Sequence, residues 1–380
     1  MGNFTRNKFF KGLAAGIIGL PFGLKALTQD ENLNSDIPKS SNDNIDQTFQ
    51  WKMVTTWPPN FPIIGEACNN LAGLIEKLSN SRIKIRVYGG GELVPALEAF
   101  DAVKSGVAQM GSGSPYYWAG KIPAAQFFST VPFGMNAQQM NAWILVGEGY
   151  ELWKELYKAH NLVPFPGGNT GVQMGGWFNK PIDSVADLKS LKMRIPGIGG
   201  KVLEKAGGTP VLLAGGELYT GLERGIIDAT EWLGPFHDQS MGFQDIADFY
   251  YAPGWHEPGT LLEFFVNKEV FEELPADLQQ IVETACLSVN HWVLSKMESA
   301  NAAALQSLIN SGVQIRTFPN QVIERLRNYT ETVINEMIAN DKQSKKIYES
   351  YLAFQMQSAH YATFTEQVYH NLIQKSSKPI

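Results

Sequence analysis

The stretch Gly90-Gly91-Glu92-Leu93, with Leu97-Glu98 shortly after it, returns later in the chain as Gly215-Gly216-Glu217-Leu218 with Leu222-Glu223. The two copies are identical at all of these positions. Each copy predicts a glycine turn followed by a helix, and a segment with strand character stands on either side. Parallel pairing of strands needs a helical crossover of this kind. The repeat therefore predicts two similar α/β lobes.

The strands that follow the two glycine turns are predicted at residues 106–110 and 225–229. Upstream, apolar residues between positions 64 and 78 recur at the spacing of one helix face. Ile83, Ile85 and Val87 then alternate with charged residues, as in a strand with one buried face. These patterns place a helix and a strand before the first copy.

The second half of the chain predicts a returning strand and then helices. The apolar run at 261–266 suits a buried strand that returns to the first lobe. Leu274-Pro275-Ala276-Asp277 opens a helix with proline in its first turn, where the missing amide hydrogen costs little. Helices continue to the end, with a break near 312–319. Residues 341–374 carry more apolar side chains than one solvated helix needs, so they either pack along the lobes or form a dimer contact.

Length and composition agree with a two-lobed globular protein. The chain has 380 residues, 44% of them hydrophobic and 18% charged, enough for a large core. The predicted division places lobe I at 50–171 and 258–305 and lobe II at 172–257. Residues 306–380 are predicted as helices that pack across the lobes, dimerise, or do both. The fold class is α/β, with a mixed sheet and flanking helices in each lobe and long C-terminal helices.

The N-terminus predicts export. Arg6, Lys8 and Lys11 precede an apolar run at 13–24 that is short for a membrane span. The order resembles a twin-arginine signal with Asn7 in place of the second arginine, and an uncleaved anchor stays open. We assign 1–27 to the export signal and the polar segment 28–49 to a disordered linker. The mature protein is therefore expected in the periplasm or outside the cell.

Charge and cysteine content exclude some classes of protein. The formal net charge is -6, and no basic cluster follows the first dozen residues, so no nucleic-acid partner is expected. Neither glycine copy is followed by the Lys-Ser/Thr of a phosphate loop. The two cysteines, Cys68 and Cys286, are either buried free thiols or one disulfide.

Ligands of open α/β sheets lie beyond the carboxyl ends of the strands. This rule brings residues 112–118, 194–200 and 231–236 to one cleft between the lobes. Arg194 stands there just before a Pro-Gly turn, and a guanidinium binds a carboxylate through two parallel hydrogen bonds. From the residues alone, a surface salt bridge is an equal alternative.

Three motifs resemble the solute receptors of tripartite ATP-independent periplasmic (TRAP) transporters, which have a two-lobed, periplasmic-binding-protein-like fold. They are the run Phe165-Pro166-Gly167-Gly168-Asn169-Thr170-Gly171-Val172-Gln173-Met174-Gly175-Gly176-Trp177, then Leu191-Lys192-Met193-Arg194-Ile195-Pro196-Gly197, and Gly216-Glu217-Leu218-Tyr219 with Asp228-Ala229-Thr230-Glu231-Trp232. The likeness spans residues 51–305. It implies a receptor that passes a solute to integral-membrane transporter subunits and catalyses nothing.

The chain departs from the broader family where Glu231-Trp232-Leu233-Gly234-Pro235 replaces Glu-Asn-Pro. With Gln173 and the turn Trp255-His256-Glu257, this resembles the branch that binds 2-oxo or 2-hydroxy monocarboxylates, such as pyruvate or lactate, with a metal ion. By resemblance, Arg194 holds the carboxylate.

The candidate metal ligands are Gln173, Glu231, Glu257 and the carbonyl of Trp232. All of them offer oxygen atoms, which suit calcium or sodium. Two glutamates and a monoanionic ligand bring three negative charges, and Arg194 with a divalent ion neutralises them, so calcium is favoured over sodium. For Glu257 a purely structural hydrogen bond is the alternative.

Further contacts to the ligand are expected from Tyr117, Phe133, Asn169 and Trp232, alongside Gln173 and Glu257. Aromatic rings suit the short apolar end of such an acid. The alternative for Asn169 is that its amide stabilises the connection between the lobes.

Two other functions compete with uptake. An enzyme is conceivable because His256 stands beside Glu257, but neighbours in an extended segment point to opposite faces, and no Gly-x-Ser-x-Gly or nucleotide motif occurs. A sensory receptor uses the same clamp with a different partner. Replacing Arg194 with alanine is expected to abolish acid binding and leave the fold intact.

Overall fold

A computed structural model describes residues 47–375, with side chains up to residue 372. The predicted export signal, 1–27, and all but the last three residues of the predicted linker, 28–49, lie outside the described residues. Within 47–375, no helix has both the length and the hydropathy that a membrane crossing requires.

The strands form two mixed sheets. The first has the order β2-β1-β3-β10-β4 and the second the order β11-β9-β5-β8-β6-β7. In chain order the strands are β1 (Phe49–Thr55), β2 (Ile83–Tyr88), β3 (Met110–Gly113), β4 (Leu162–Asn169), β5 (Gly176–Phe178), β6 (Lys192–Arg194), β7 (Thr209–Val211), β8 (Ala229–Thr230), β9 (Phe249–Ala252), β10 (Leu261–Asn267) and β11 (Gln314–Thr317).

Helices flank both sheets, and the longest runs over 35 residues after the last strand of the first sheet. In chain order they are α1 (Ile64–Leu78), α2 (Ala99–Lys104), α3 (Gln126–Ser129), α4 (Ala137–Leu145), α5 (Gly149–Lys158), α6 (Gly197–Lys205), α7 (Leu218–Glu223), α8 (Pro235–Ser240), α9 (Lys268–Glu272), α10 (Ala276–Asn310), α11 (Asn320–Asn340), α12 (Lys342–Ala362) and α13 (Glu366–Lys375). This architecture confirms the predicted fold class.

The repeat generates the same strand pattern in both sheets. β2 and β3 pair in parallel with the two edges of β1, and β7 and β8 pair in parallel with the two edges of β6. An antiparallel strand follows on the far side, β10 beside β3 and β5 beside β8. The strands before and after each glycine copy are therefore not neighbours. β1 lies between β2 and β3, and β6 lies between β7 and β8.

The predicted strands at 106–110 and 225–229 are wrong except for their last residues, Met110 and Ala229. Gly106 and Gly225 end α2 and α7 with φ angles of 80° and 68°. The next amide then donates to the carbonyl five residues back, from Val107 to Ala102 and from Ile226 to Gly221, each at 2.9 Å. This is the Schellman ending of a helix, and it leaves the apolar residue after each glycine exposed.

Three connections cross between the sheets: the one from β10 to β11 contains α9 and α10, and the other two are short. Residues 170–175 lead from β4 to β5, and residues 253–260 lead from β9 back to β10. All seven residues of β10 are buried, which confirms the predicted returning strand. The two crossovers hydrogen-bond each other, since the Gln173 amide donates to the Glu257 carbonyl at 3.1 Å and the Gly254 amide to the Gln173 carbonyl at 2.8 Å.

The C-terminal segment contains a strand as well as helices. β11 joins the second sheet beside β9, and α11 then packs against α6 while α12 packs against α3, α4 and α5. Tyr351 of α12 is buried, and its hydroxyl accepts from the Met135 amide at 2.8 Å. The predicted break at 312–319 is thus a β-strand, whose edge pairing could not be read from a four-residue segment.

The cysteines are free, and both are buried in the core around α1 and α10. Burial raises the pKa of the Cys68 thiol to about 12 and that of Cys286 well above its ordinary value. The structure therefore has the free-thiol arrangement rather than the disulfide. Neither thiol ionises at neutral pH.

One carboxyl group lies inside the fully buried strand β10. Glu263 accepts a hydrogen bond from Nε1 of Trp118, and its second oxygen has no partner among the described residues. Burial, opposed by the Trp118 hydrogen bond, raises the pKa of Glu263 to about 8. The side chain is therefore mainly protonated at neutral pH.

Glu263→Gln is expected to weaken the pH dependence of stability. The unfolded chain releases this proton near a pKa of about 4.3, whereas the folded chain holds it up to about 8. The stability that this group contributes is thus fully present below the unfolded pKa and is lost as pH rises through the folded pKa. Between pH 6 and pH 9 this group accounts for a loss on the order of 2 kcal/mol. Urea unfolding at both pH values measures it, and an equal loss in the variant would assign the effect to other groups.

Candidate functional site

Arg194 is fully buried at the end of β6, where the turn before α6 directs it between the two sheets. Its guanidinium is ion-paired with Glu231, which follows β8. Nη2 donates to the hydroxyl of Tyr117 at 3.2 Å, and Nε donates to the carbonyl of Leu213 at 3.3 Å. Residues from both halves of the molecule therefore meet at Arg194.

Both members of this ion pair are almost completely shielded from solvent. Burial opposes the charge on Arg194, but Glu231, Tyr117 and Tyr116 together raise the pKa of Arg194 above its ordinary value. Removing one partner of a buried pair leaves an uncompensated charge and costs about 3–5 kcal/mol. Arg194 is thus part of the buried structure, and its replacement is expected to reduce the stability of the fold.

The crossovers carry the next group of polar side chains. Nε2 of Gln173 donates to Oε2 of Glu257 at 2.7 Å, and the hydroxyl of Thr260 donates to the same oxygen at 2.6 Å. Oε1 of Gln173 is buried and has no hydrogen-bond partner among residues 47–375. A buried carbonyl oxygen without a donor is free to bind a cation.

Glu231, His256 and Glu257 converge although they come from different segments. One ligand atom of each lies within 4.8 Å of the other two, and all three residues are buried. Burial, and after it the Glu231 carboxylate, raise the pKa of Glu257 well above its ordinary value. Two carboxylates this close favour either a proton or a cation between them.

His256 corrects the sequence prediction. Its Nε2 lies 3.4 Å from Oε2 of Glu231, so it faces the same cluster as Glu257. The expectation of opposite faces is wrong because residues 255–256 form a turn, so the segment is not extended there. The prolines and glycines at 253, 254, 258 and 259 were the available signal for that turn.

Aromatic rings enclose the guanidinium. The centre of the Trp232 ring is 5.0 Å from Cζ of Arg194, a cation–π distance. Tyr117 packs edge-on against Tyr116, with ring centres 4.9 Å apart, and its ring is tilted against that of Trp57, with ring centres 6.3 Å apart. Tyr116 was not among the predicted site residues, although it stands next to Tyr117 in the sequence.

Asn169 and Phe133, two of the predicted ligand contacts, have partners within the protein. Asn169 ties the crossovers together, because its Nδ2 donates to the carbonyl of Gly259 at 3.2 Å and its Oδ1 accepts from the Gly171 amide at 2.9 Å. The ring of Phe133 stacks on Trp255, with centres 5.8 Å apart, and the guanidinium of Arg327 lies 4.3 Å from it. Phe133 lines a groove of about 610 Å³ that also contains Pro253 and Arg327.

The side chains present fit a hard cation. Gln173, Glu231 and Glu257 offer oxygen atoms, and one of them, Oε1 of Gln173, is a buried acceptor without a partner among the described residues. Both cysteines lie in the core around α1 and α10 and form no part of this cluster. His256 adds a single ring nitrogen, so the set consists mainly of oxygen atoms, which suit calcium or sodium. Beside the cluster, Arg194 supplies the positive charge that a carboxylate ligand needs.

Comparison with known proteins agrees with this geometry. Residues 53–341 match the family model of DctP, described as bacterial extracellular solute-binding protein, family 7. A curated relative from Nostoc sp. PCC 7120 is 39% identical over 328 residues, which is 86% of this chain and 90% of the relative. It is named a monocarboxylate 2-oxoacid-binding periplasmic protein.

Two solved structures are similar over 86% of this chain and 99% of their own, each with 44% identity and a TM-score of 0.84. Both are TRAP periplasmic solute-binding proteins. The one from Colwellia psychrerythraea contains calcium and pyruvate, and the one from Pseudoalteromonas atlantica contains sodium and pyruvate. The chain therefore belongs to family 7 of the bacterial extracellular solute-binding proteins, the DctP family, and is a solute receptor of the TRAP type.

Proposed function

We propose that this receptor binds a small 2-oxo or 2-hydroxy monocarboxylate, pyruvate- or lactate-like, together with a metal cation. It acts outside the cytoplasmic membrane after export through residues 1–27 and delivers the acid, chemically unchanged, to integral-membrane TRAP subunits. The observation that carries this proposal is the buried meeting of Arg194 with the oxygen cluster of Gln173, Glu231 and Glu257. The pyruvate-bound relatives support the ligand class.

Each site residue has a role in this proposal. Arg194 binds the carboxylate of the acid through two parallel hydrogen bonds. The cation is held by Gln173, Glu231, Glu257 and the carbonyl of Trp232. A bound cation supplies a positive charge that lets the acid and two glutamates share one buried space.

The remaining predicted residues line or support the pocket. Tyr117 adds a hydroxyl to the carboxylate side, and the ring of Trp232 shields Arg194 from water. Asn169 and Phe133 act indirectly, Asn169 through the crossovers and Phe133 through Trp255. The 2-oxo or 2-hydroxy oxygen of the acid faces the cation.

Cation and acid are expected to bind cooperatively. Without cargo, Arg194 and Glu231 neutralise each other. An acid that takes Arg194 leaves Glu231 uncompensated, and a cation that takes Glu231 leaves Arg194 uncompensated. Each ligand therefore binds better when the other is present, and the coupling is reciprocal.

Calcium is preferred over sodium by the charge balance. Two glutamates and one monocarboxylate bring three negative charges, of which Arg194 neutralises one. A divalent ion neutralises the remaining two, whereas sodium leaves one charge buried. The raised pKa of Glu257 does not change this count, because a coordinated carboxylate is deprotonated.

Closure of the two lobes about the crossovers at 170–175 and 253–260 completes the binding step. Lobe I consists of residues 50–171 and 258–305, and lobe II of residues 172–257. Gln173 and Glu257 lie on these crossovers, so a cation held there favours one arrangement of the lobes. Closure requires that the cargo bind the closed state more tightly than the open state.

A sensory receptor or an enzyme would use the same cleft. The membrane partner distinguishes a sensor from a transport receptor, and family membership favours transport. An enzyme needs a reacting group poised on the substrate, whereas Arg194, Glu231 and Glu257 serve charge balance. We therefore propose that binding and release occur without catalysis.

Calorimetric titration tests the ligand class and the cation together. Protein stripped of metal by a chelator is titrated with pyruvate in calcium, in sodium, and in choline as the cation-free control. We expect strong binding in calcium, weaker binding in sodium, and at least about a tenfold loss in choline. A parallel titration uses lactate; absence of binding of both acids in every buffer would overturn the proposal, and equal affinity in choline would remove the cation from it.

Arg194→Met and the double variant Arg194→Met/Glu231→Gln separate binding from stability. The single variant is expected to lose pyruvate binding and about 3–5 kcal/mol of unfolding free energy, because Glu231 stays buried without a partner. The double variant is expected to recover most of the stability but none of the binding. Urea unfolding and calorimetry measure the two effects, and pyruvate binding by either variant would refute the role of Arg194.

We also propose that two chains associate through the end of α12 and through α13. The supporting observation is an exposed apolar set in these helices and in the turn between them, consisting of Met356, Tyr361, Phe364, Val368 and Leu372. Replacing Phe364 and Leu372 together with serine is expected to shift sedimentation from dimer to monomer without changing pyruvate affinity. Sedimentation of the wild type as a monomer at micromolar concentration would end this proposal.

A further inference from the structure

The second glycine copy touches a ring of the binding site. A Cβ atom added to Gly215 would lie 2.6 Å and 2.7 Å from Cη2 and Cζ2 of the Trp232 indole, closer than real Cβ contacts come. At the next residue, Gly216, an added Cβ meets nothing within 4 Å. Only one glycine of the pair is therefore in contact with the indole.

The indole that rests on Gly215 also covers Arg194. The ring centre of Trp232 lies 5.0 Å from Cζ of Arg194, and both side chains are buried. The Trp232 indole also packs edge-on against Phe61, with ring centres 6.0 Å apart. With Phe61 on one side and Gly215 on another, the indole has little room to move.

The same loop reaches Arg194 directly. Nε of Arg194 donates to the carbonyl of Leu213 at 3.3 Å, two residues before Gly215. Oε2 of Glu217 accepts from the amide of Ala214 at 3.1 Å and holds the turn together. Residues 213–217 thus help to orient the Arg194 guanidinium in two ways. The Leu213 carbonyl accepts a hydrogen bond from it, and Gly215 supports the Trp232 ring that covers it.

The first copy of the motif has the same turn but a different neighbour. Oε2 of Glu92 accepts from the amide of Gly89 at 2.6 Å, as Glu217 does for Ala214. An added Cβ at Gly90 would lie 2.9 Å from Cβ of Ala96 and 3.2 Å from the carbonyl oxygen of Thr55, close neighbours within the first half of the chain. Identical residues therefore pack locally in one half and against a site residue in the other.

We propose that Gly215 is a positioning residue for solute binding. Its missing side chain seats the Trp232 indole against the Arg194 guanidinium, which keeps the guanidinium aimed at the carboxylate of the acid. A methyl group at this position displaces the indole, weakens the desolvated cation–π contact and lets Arg194 turn away. The effect on affinity rests on the proposed function, whereas the seating of Trp232 does not.

Gly215→Ala and Gly216→Ala form a matched pair. Both lie in one short 3-10 turn, and neither has a positive φ angle, so the backbone cost of alanine is similar. In calcium, Gly215→Ala is expected to weaken pyruvate binding by at least about tenfold, the scale of a desolvated cation–π contact. Gly216→Ala is expected to bind within about twofold of the wild type.

A rescue variant separates positioning from general damage. Trp232→Phe removes the indole atoms that the new methyl group would meet and keeps the backbone carbonyl of residue 232. Adding Gly215→Ala to Trp232→Phe is expected to change pyruvate affinity by less than about twofold. Should Gly215→Ala alone fail to fold, the double variant is expected to fold and to bind like Trp232→Phe.

Three results would overturn the inference. They are equal affinities in the two glycine variants, a tenfold loss from Gly215→Ala that persists in the Trp232→Phe background, and a crystal structure of Gly215→Ala with the indole still on Arg194. The last measurement needs no ligand. If the wild type binds no pyruvate, the proposed function fails, and the crystal structure alone decides the role of Gly215.

Discussion

Arg194 and Glu231 form a charge pair in a place that water does not reach, and much of the surrounding structure serves to keep that pair satisfied. The guanidinium also donates to Tyr117 and Leu213, and the face of Trp232 covers it. A buried pair of this kind adds little net stability compared with apolar residues, but it is costly to break on one side only. This difference suits a receptor. An anion can take the place of Glu231 beside Arg194 while a cation takes the place of Arg194 beside Glu231, so that neither charge is left alone.

The two sheets bring these charges together because each half repeats the same sequence of crossovers. β6 and β8 are neighbours in parallel, so their carboxyl ends place Arg194 and Glu231 side by side. The crossovers at 170–175 and 253–260 then add Gln173, His256 and Glu257 from the junction between the sheets. The site thus lies where two of the three connections between the sheets pass, so a movement of one sheet relative to the other alters it.

Local sequence patterns predicted the helices and strands better than they predicted which strands pair. The helix at 64–78, the strand after Arg82 and the buried return at 261–266 follow from periodicity alone, because burial of one face dictates spacing. The strands after Gly106 and Gly225 were placed too early, since an apolar residue after a helix-ending glycine looks the same whether it is exposed or paired. β11 was missed because four residues carry too little pattern to outweigh the helices around them.

Among the site residues, the sequence alone determined the identity of the charged groups and the strand ends that carry them. The rule that ligands gather at carboxyl ends pointed to Arg194 and Glu231, whereas Gln173 and Glu257 were named by the resemblance to TRAP solute receptors. Tertiary structure alone decided which atoms meet: that His256 turns toward Glu231, that Asn169 is used by the crossovers, and that Gly215 supports Trp232 while Gly216 does not. The reason is physical, because residue type and spacing determine local conformation, whereas contacts between distant segments depend on how the two sheets pack against each other.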